Sequence, residues 1–155
     1  MSGHAGDGAV LRRWGPTRVA LVGLDGFAAL TAIAGGIALA AGLEAARFPA
    51  GWLAGTPFSS YLLPGLILAA VVGGSAAVAT IEAVRSSRTG GRASMTAGVL
   101  LLGWIVGEVV ILTDEADVIS PAELVYLGVG LAMTVLGARL VGRQRGAAVD
   151  EGGRT

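Results

Sequence analysis

The sequence predicts an all-α membrane protein, a four-helix bundle that crosses the bilayer four times with both termini on the cytoplasmic side. Three observations predict it. The hydrophobic fraction is 54% and the mean hydropathy +0.72, well above those of a soluble globular chain. The 11 basic and 11 acidic residues cancel, yet most of them fall outside four long apolar stretches. Arginine, finally, is concentrated in alternate gaps, as it is in proteins whose cytoplasmic loops are positive.

Residues 1–17 hold Gly, Asp and Ser with few apolar neighbours and end in Arg12, Arg13, Trp14 and Pro16, which predicts a disordered tail reaching the interface. The spans are expected at 18–43, 61–84, 93–112 and 121–141, and residues 142–155 form a second disordered cytoplasmic tail. Each span has roughly 20 residues or more, which at about 1.5 Å rise per residue crosses a hydrocarbon core of about 30 Å. Helices of a soluble bundle would carry a polar face for water. Between Gly65 and Ile81 there is no charged residue, and the polar atoms belong to Ser75 and Thr80.

Arg12, Arg13 and Arg18 precede span one, Arg85, Arg88 and Arg92 separate spans two and three, and Arg139, Arg143 and Arg145 follow span four. Those three segments face the cytoplasm. The opposite loops hold Arg47 with Glu44 in one, and Asp114, Glu115 and Asp117 in the other. The basic start, the apolar run and Ala38-Leu39-Ala40 imitate a cleaved signal peptide. The run is longer than a signal core and contains Asp25, so the expectation is a retained first span. The Arg12-Arg13 pair reads as topology and not as a twin-arginine signal.

Composition also limits the chemistry. With no cysteine, thiolate metal sites, iron–sulfur ligation and a cysteine nucleophile are excluded. His4 is the single histidine and lies in the Gly-rich tail, so no zinc or haem site built on clustered histidines is expected. No cofactor, no metal, no catalytic residue and no nucleic-acid partner is expected, since a basic footprint is missing. The partners expected are the lipid bilayer and either further copies of the chain or another membrane protein.

Small residues mark the packing faces. Span two places Gly65, Ala69, Gly73 and Ala77 at four-residue spacing, and span three has Gly103 and Gly107 in the same relation. Span four offers Gly128 with Ala132, and Gly130 with Thr134 and Ala138. Such stripes let two backbones approach closely, either inside the bundle or between copies. The loop after span one holds Phe48, Pro49, Trp52, Pro57 and Phe58, followed by Tyr61. Aromatics at this depth anchor a loop in the headgroup region, the alternative being a substrate lid.

Ionisable residues inside spans are costly and are candidates for function. Ser120-Pro121-Ala122-Glu123 has capping-box spacing, so Glu123 starts a helix. Glu82 is one turn from Arg85 and is satisfied by it or by snorkelling. Asp25 lies about 10 Å along the helix from Arg18 and is read either as half of a structural ion pair or as a functional carboxylate. Glu108 lies about 9 Å below the end of span three with no adjacent base. Thr31 and Tyr126, at similar depth, are its expected hydrogen-bond partners. Glu108 is then either a neutral acid that ties helices together or a group that exchanges a proton or binds a cation.

The stretch Thr56-Pro57-Phe58-Ser59-Ser60-Tyr61-Leu62-Leu63-Pro64-Gly65-Leu66-Ile67-Leu68, with Gly103-Trp104-Ile105-Val106-Gly107-Glu108, resembles a group of small, uncharacterised four-span bacterial membrane proteins. In size and topology the chain is also loosely similar to the DoxX-type proteins. The resemblance implies a bacterial plasma membrane and brings no catalytic residues. The role expected is a non-enzymatic accessory or self-associating subunit. The alternatives are a small proton-linked transporter, with Glu108 and Asp25 marking the outer and inner halves of its path, and a DoxX-like redox component. For the last, the sequence supplies no nucleophile, metal cluster or phosphate loop.

Overall fold

The computed structural model describes residues 15–112 and 121–152. Among them are four helices long and apolar enough to cross a membrane, and no strand. They are α1 (Pro16–Ala40), α2 (Leu62–Arg85), α3 (Ser87–Leu112) and α4 (Pro121–Gly152). The chain is an all-α, multi-pass membrane bundle in which sequential helices are neighbours and α4 returns against α1. Below, the proximal end is where α1 begins and α4 ends, and the distal end is opposite.

The helix ends have local causes. Pro16 opens α1 in its first turn, where its missing N–H has no helical partner to lose. Gly42 stops it at φ +73°, a conformation that suits glycine. The Leu43 N–H bonds the Ala38 carbonyl and the Gly42 N–H that of Leu39, the two bonds of a Schellman motif. The helix thus closes at Ala40, short of Leu43, where hydropathy alone extends it. Residues 16 and 17, read as tail, are its first turn, while residues 1–14 lie outside the described residues.

The third helix starts at Ser87, earlier than the apolar run at Ala93 suggests. Ser86 is extended (φ −146°, ψ 131°), and its Oγ accepts the Arg88 N–H in the manner of an N-cap. The poor helix formers Gly90 and Gly91 are held by contact: a methyl on Gly90 would sit 2.5 Å from the Ala83 Cα. At the other end α4 begins at Pro121 with Glu123 in its first turn. The expected cap, Ser120, lies outside the described residues. That helix runs past Val141 to Gly152, through residues read as a tail. Gln144, Ala147 and Ala148 are good helix formers and no proline interrupts them.

The bundle axis is built of small side chains. Ala28, Ala29, Ala32, Ala76, Ala79 and Ala97 are buried there with Val72, Leu101, Ile105 and Met133. Large apolar side chains point outward instead: Leu30 is 74% and Val110 70% exposed. A protein in water inverts this arrangement, whereas in lipid an exposed leucine costs nothing and alanine inside lets the backbones close.

Backbone meets backbone between α1 and α2. A methyl on Gly36 would lie 2.5 Å from the Gly65 carbonyl oxygen and 2.6 Å from the Ala69 nitrogen, and Gly73 packs on Ile33. Beside it, Leu68–Gly73 forms a π-helical turn inside α2. Gly91 and Gly98 of α3 meet Gly137 and Gly130 of α4 in the same way.

Candidate functional site

The structure places the two singled-out acids at opposite ends of the bundle. Asp25, in the proximal half of α1, is completely buried, as is Ser94 of α3. The Ser94 hydroxyl donates to Asp25 Oδ2 at 2.5 Å. Asp25 Oδ1 has no hydrogen-bond partner among the described residues. In buried surroundings an unsatisfied oxygen is costly and calls for an explanation. Arg18, two turns earlier on α1, donates from Nε to the Ala83 carbonyl at 2.6 Å and from Nη2 to that of Val84 at 2.7 Å. Its guanidinium thereby closes the C-terminal turn of α2, where carbonyls lack helical partners.

Ser94 was not among the sequence candidates. With the third span starting at Ala93, it stands at the membrane edge and draws no attention. With α3 starting at Ser87 it is about 10 Å into the helix, level with Asp25, which is nine residues beyond the start of α1. The signal was the cap at Ser86, which sets where α3 begins.

Glu108 lies in the distal half of α3 and is partly buried. The Trp104 side chain, one turn away on the same helix, hydrogen-bonds its carboxyl, and Glu123 of α4 and Arg47 of the first distal loop lie within electrostatic range. Tyr61, at the start of α2, is also within reach of its charge. Thr31 and Tyr126 are engaged elsewhere. The Thr31 hydroxyl donates to the Phe27 carbonyl of its own helix at 2.8 Å, and the Tyr126 ring stacks on Phe27 at 6.0 Å between centroids. A threonine in a helix can bond the carbonyl one turn back on its own helix, which satisfies its hydroxyl without a neighbour.

Of the small-residue positions, Gly65, Ala69 and Gly73 take part in the α1–α2 contact, and Ala77 packs against the core. At Gly103 and Gly107 an added methyl would meet nothing within 4 Å among the described residues. Gly103 is on the exposed flank of α3 with Val99, Val106 and Val110.

The first distal loop is folded on itself. Phe48 meets Trp52 edge-on at 6.3 Å and Tyr61 at 6.0 Å, and the Arg47 guanidinium lies 5.6 Å over the Phe48 ring. The Tyr61 hydroxyl donates to the Pro49 carbonyl at 3.2 Å, tying the loop to α2. Under it is a cavity of about 270 Å³ whose walls include Leu39, Glu44, Phe48, Tyr61 and Leu62.

Among the described residues no three His, Cys, Asp or Glu side chains are grouped closely enough to hold a metal. Between Asp25 and Glu108 the bundle interior is the alanine-rich cluster with Leu101, Ile105 and Met133. No known protein family matches this sequence, and neither a curated protein nor a solved structure is significantly similar to it.

Proposed function

We propose that the chain is a non-enzymatic subunit of the bacterial plasma membrane, with both termini in the cytoplasm, that associates with copies of itself or with another membrane protein. The arginine distribution supports the orientation. One observation carries the association. Gly103 and Gly107 repeat the four-residue glycine spacing, but an added methyl at either meets nothing within 4 Å among the described residues. Where the chain turns such a face inward, as at Gly36 with Gly65 and Ala69, two helices come into backbone contact. The α3 face offers a second helix the same approach.

Size determination in lipid discs, over a range of protein-to-lipid ratios, tests this reading. The wild type should form a discrete assembly that Gly103→Leu with Gly107→Leu dissolves while the helical signal persists. A wild type that remains monomeric at every ratio and is captured by no membrane protein sinks it.

A proton-linked transporter is the second reading, favoured by the bare Oδ1 of buried Asp25. It ranks lower because the interior between Asp25 and Glu108 is apolar. Proton flux into vesicles, lost in both Asp25→Asn and Glu108→Gln, would reverse the order.

A further inference from the structure

We propose that the cavity beneath the first distal loop binds the headgroup of an aminophospholipid, its ammonium on Glu44 and its phosphate on Arg47. The place of the cavity identifies the solvent it meets. Leu39 and Ala40 are the last residues of α1 and Leu62 is the first of α2, and all three line it. The cavity therefore lies where the apolar spans end, at headgroup depth. Below the rim, Ile37, Leu62, Leu63 and Leu66 are all more than half exposed and offer a surface for acyl chains.

The lining selects the headgroup. Glu44 and Tyr61 are both among the residues that line the cavity, and a carboxylate beside an aromatic ring suits an ammonium group. Phe48 also lines the cavity and carries the Arg47 guanidinium over its ring, which places a cation at the margin. Glu44 and Arg47 are joined by a turn in which the Arg47 N–H bonds the Glu44 carbonyl at 2.9 Å, which sets an acid and a base side by side for a headgroup whose ammonium and phosphate are joined by two carbons. An anionic lipid without an amine would place its phosphate on Arg47 but leave the Glu44 carboxylate without a counter-charge. The volume of about 270 Å³ is just below the ~300 Å³ at which small-molecule sites begin, right for a headgroup and too small for a whole amphiphile.

The walls are organised before anything binds. Tyr61 is held on Pro49, and the Thr56 hydroxyl donates to the Leu53 carbonyl while accepting the Phe58 N–H. The loop thus has little ordering entropy to lose on binding.

Native mass spectrometry of the full chain in detergent tests the proposal with three lipids: dioleoyl phosphatidylethanolamine, its N-acetyl derivative, and dioleoyl phosphatidylglycerol. The wild type should retain the ethanolamine lipid about tenfold better than either of the others, the scale of a desolvated ammonium on a carboxylate and an aromatic face. Glu44→Gln should abolish the preference, and Glu82→Gln, at the proximal end, should keep it. Equal retention of all three lipids by the wild type overturns the proposal and needs no variant to be folded. So does a preference that survives Glu44→Gln. Soluble phosphoethanolamine should not displace the bound lipid at equal concentration; if it does, the site is one for the free headgroup and the lipid assignment falls.

Discussion

Adding one methyl group at two glycines of the same bundle should change stability in opposite directions. In Gly36→Ala the new Cβ would be 2.5 Å from the Gly65 carbonyl oxygen and 2.6 Å from the Ala69 nitrogen, against an ordinary contact distance of 3.4 Å or more. The obstructing atoms are backbone, so no side chain can rotate away, and α1 and α2 must separate by about 1 Å along their closest contact. Overpacking costs about 1–3 kcal/mol when side chains can partly adjust. A backbone obstruction puts Gly36→Ala at about 3 kcal/mol, the top of that range. In Gly103→Ala the methyl meets nothing within 4 Å, and the gain in helix propensity is about 0.5–1 kcal/mol. The difference between the two variants is then about 4 kcal/mol. Unfolding of the monomer in mixed micelles by increasing SDS, followed by far-ultraviolet circular dichroism, measures both. If Gly36→Ala is neutral, or both variants shift the same way, the packing argument for this bundle is wrong.

Three further outcomes follow from single contacts. Ser94→Ala leaves both Asp25 oxygens without a partner and should cost about 1–3 kcal/mol in the same titration, whereas Ser94→Ala added to Asp25→Leu should cost much less; additive losses would mean that the two residues do not act together. Gly42→Ala forces an alanine into positive φ at the end of α1 and should lose about 1 kcal/mol, readable as a lower unfolding midpoint; an unchanged midpoint would show that α1 does not depend on this turn. Arg18→Met removes two hydrogen bonds to the last carbonyls of α2. Each charge-assisted bond is worth about 1.5–3 kcal/mol, so amide exchange at the proximal end of α2 should accelerate clearly; unaltered exchange there would refute the capping role.

The candidate sites differ in how far the sequence exposes them. Asp25 and Glu108 stand out because a carboxyl in an apolar run is conspicuous whatever surrounds it. Their partners do not. Ser94 and Trp104 are ordinary residues in a membrane helix, and depth counted from helix ends depends on where each helix begins. Moving the start of α3 from Ala93 to Ser87 carries Ser94 from the membrane edge to the level of Asp25. Thr31 illustrates the opposite error. It is six residues past Asp25 while Glu108 is fourteen past Ser94, the residue level with Asp25, so it falls short of Glu108 along the bundle, and its hydroxyl is satisfied on its own helix.

Spans, loops and the arginine asymmetry were legible in the sequence alone, because each is a property of composition along one dimension: about 20 apolar residues cross a bilayer wherever they occur. The four helices found are those expected, shifted by a few residues at the ends where Gly42 and Ser86 act and, in α4, continued past Val141 to Gly152. Only the tertiary structure decided which small-residue face meets which helix. Gly65, Ala69 and Gly73 turn inward onto Gly36 and Ile33, while a methyl added at Gly103 or Gly107 would meet nothing within 4 Å among the described residues. Spacing groups these residues on a face but does not say where that face points. In water the apolar face must be the buried one, so the pattern names its own partner. In lipid both sides of a helix are equally at ease, and the choice passes to close packing and a few hydrogen bonds that no hydropathy profile records.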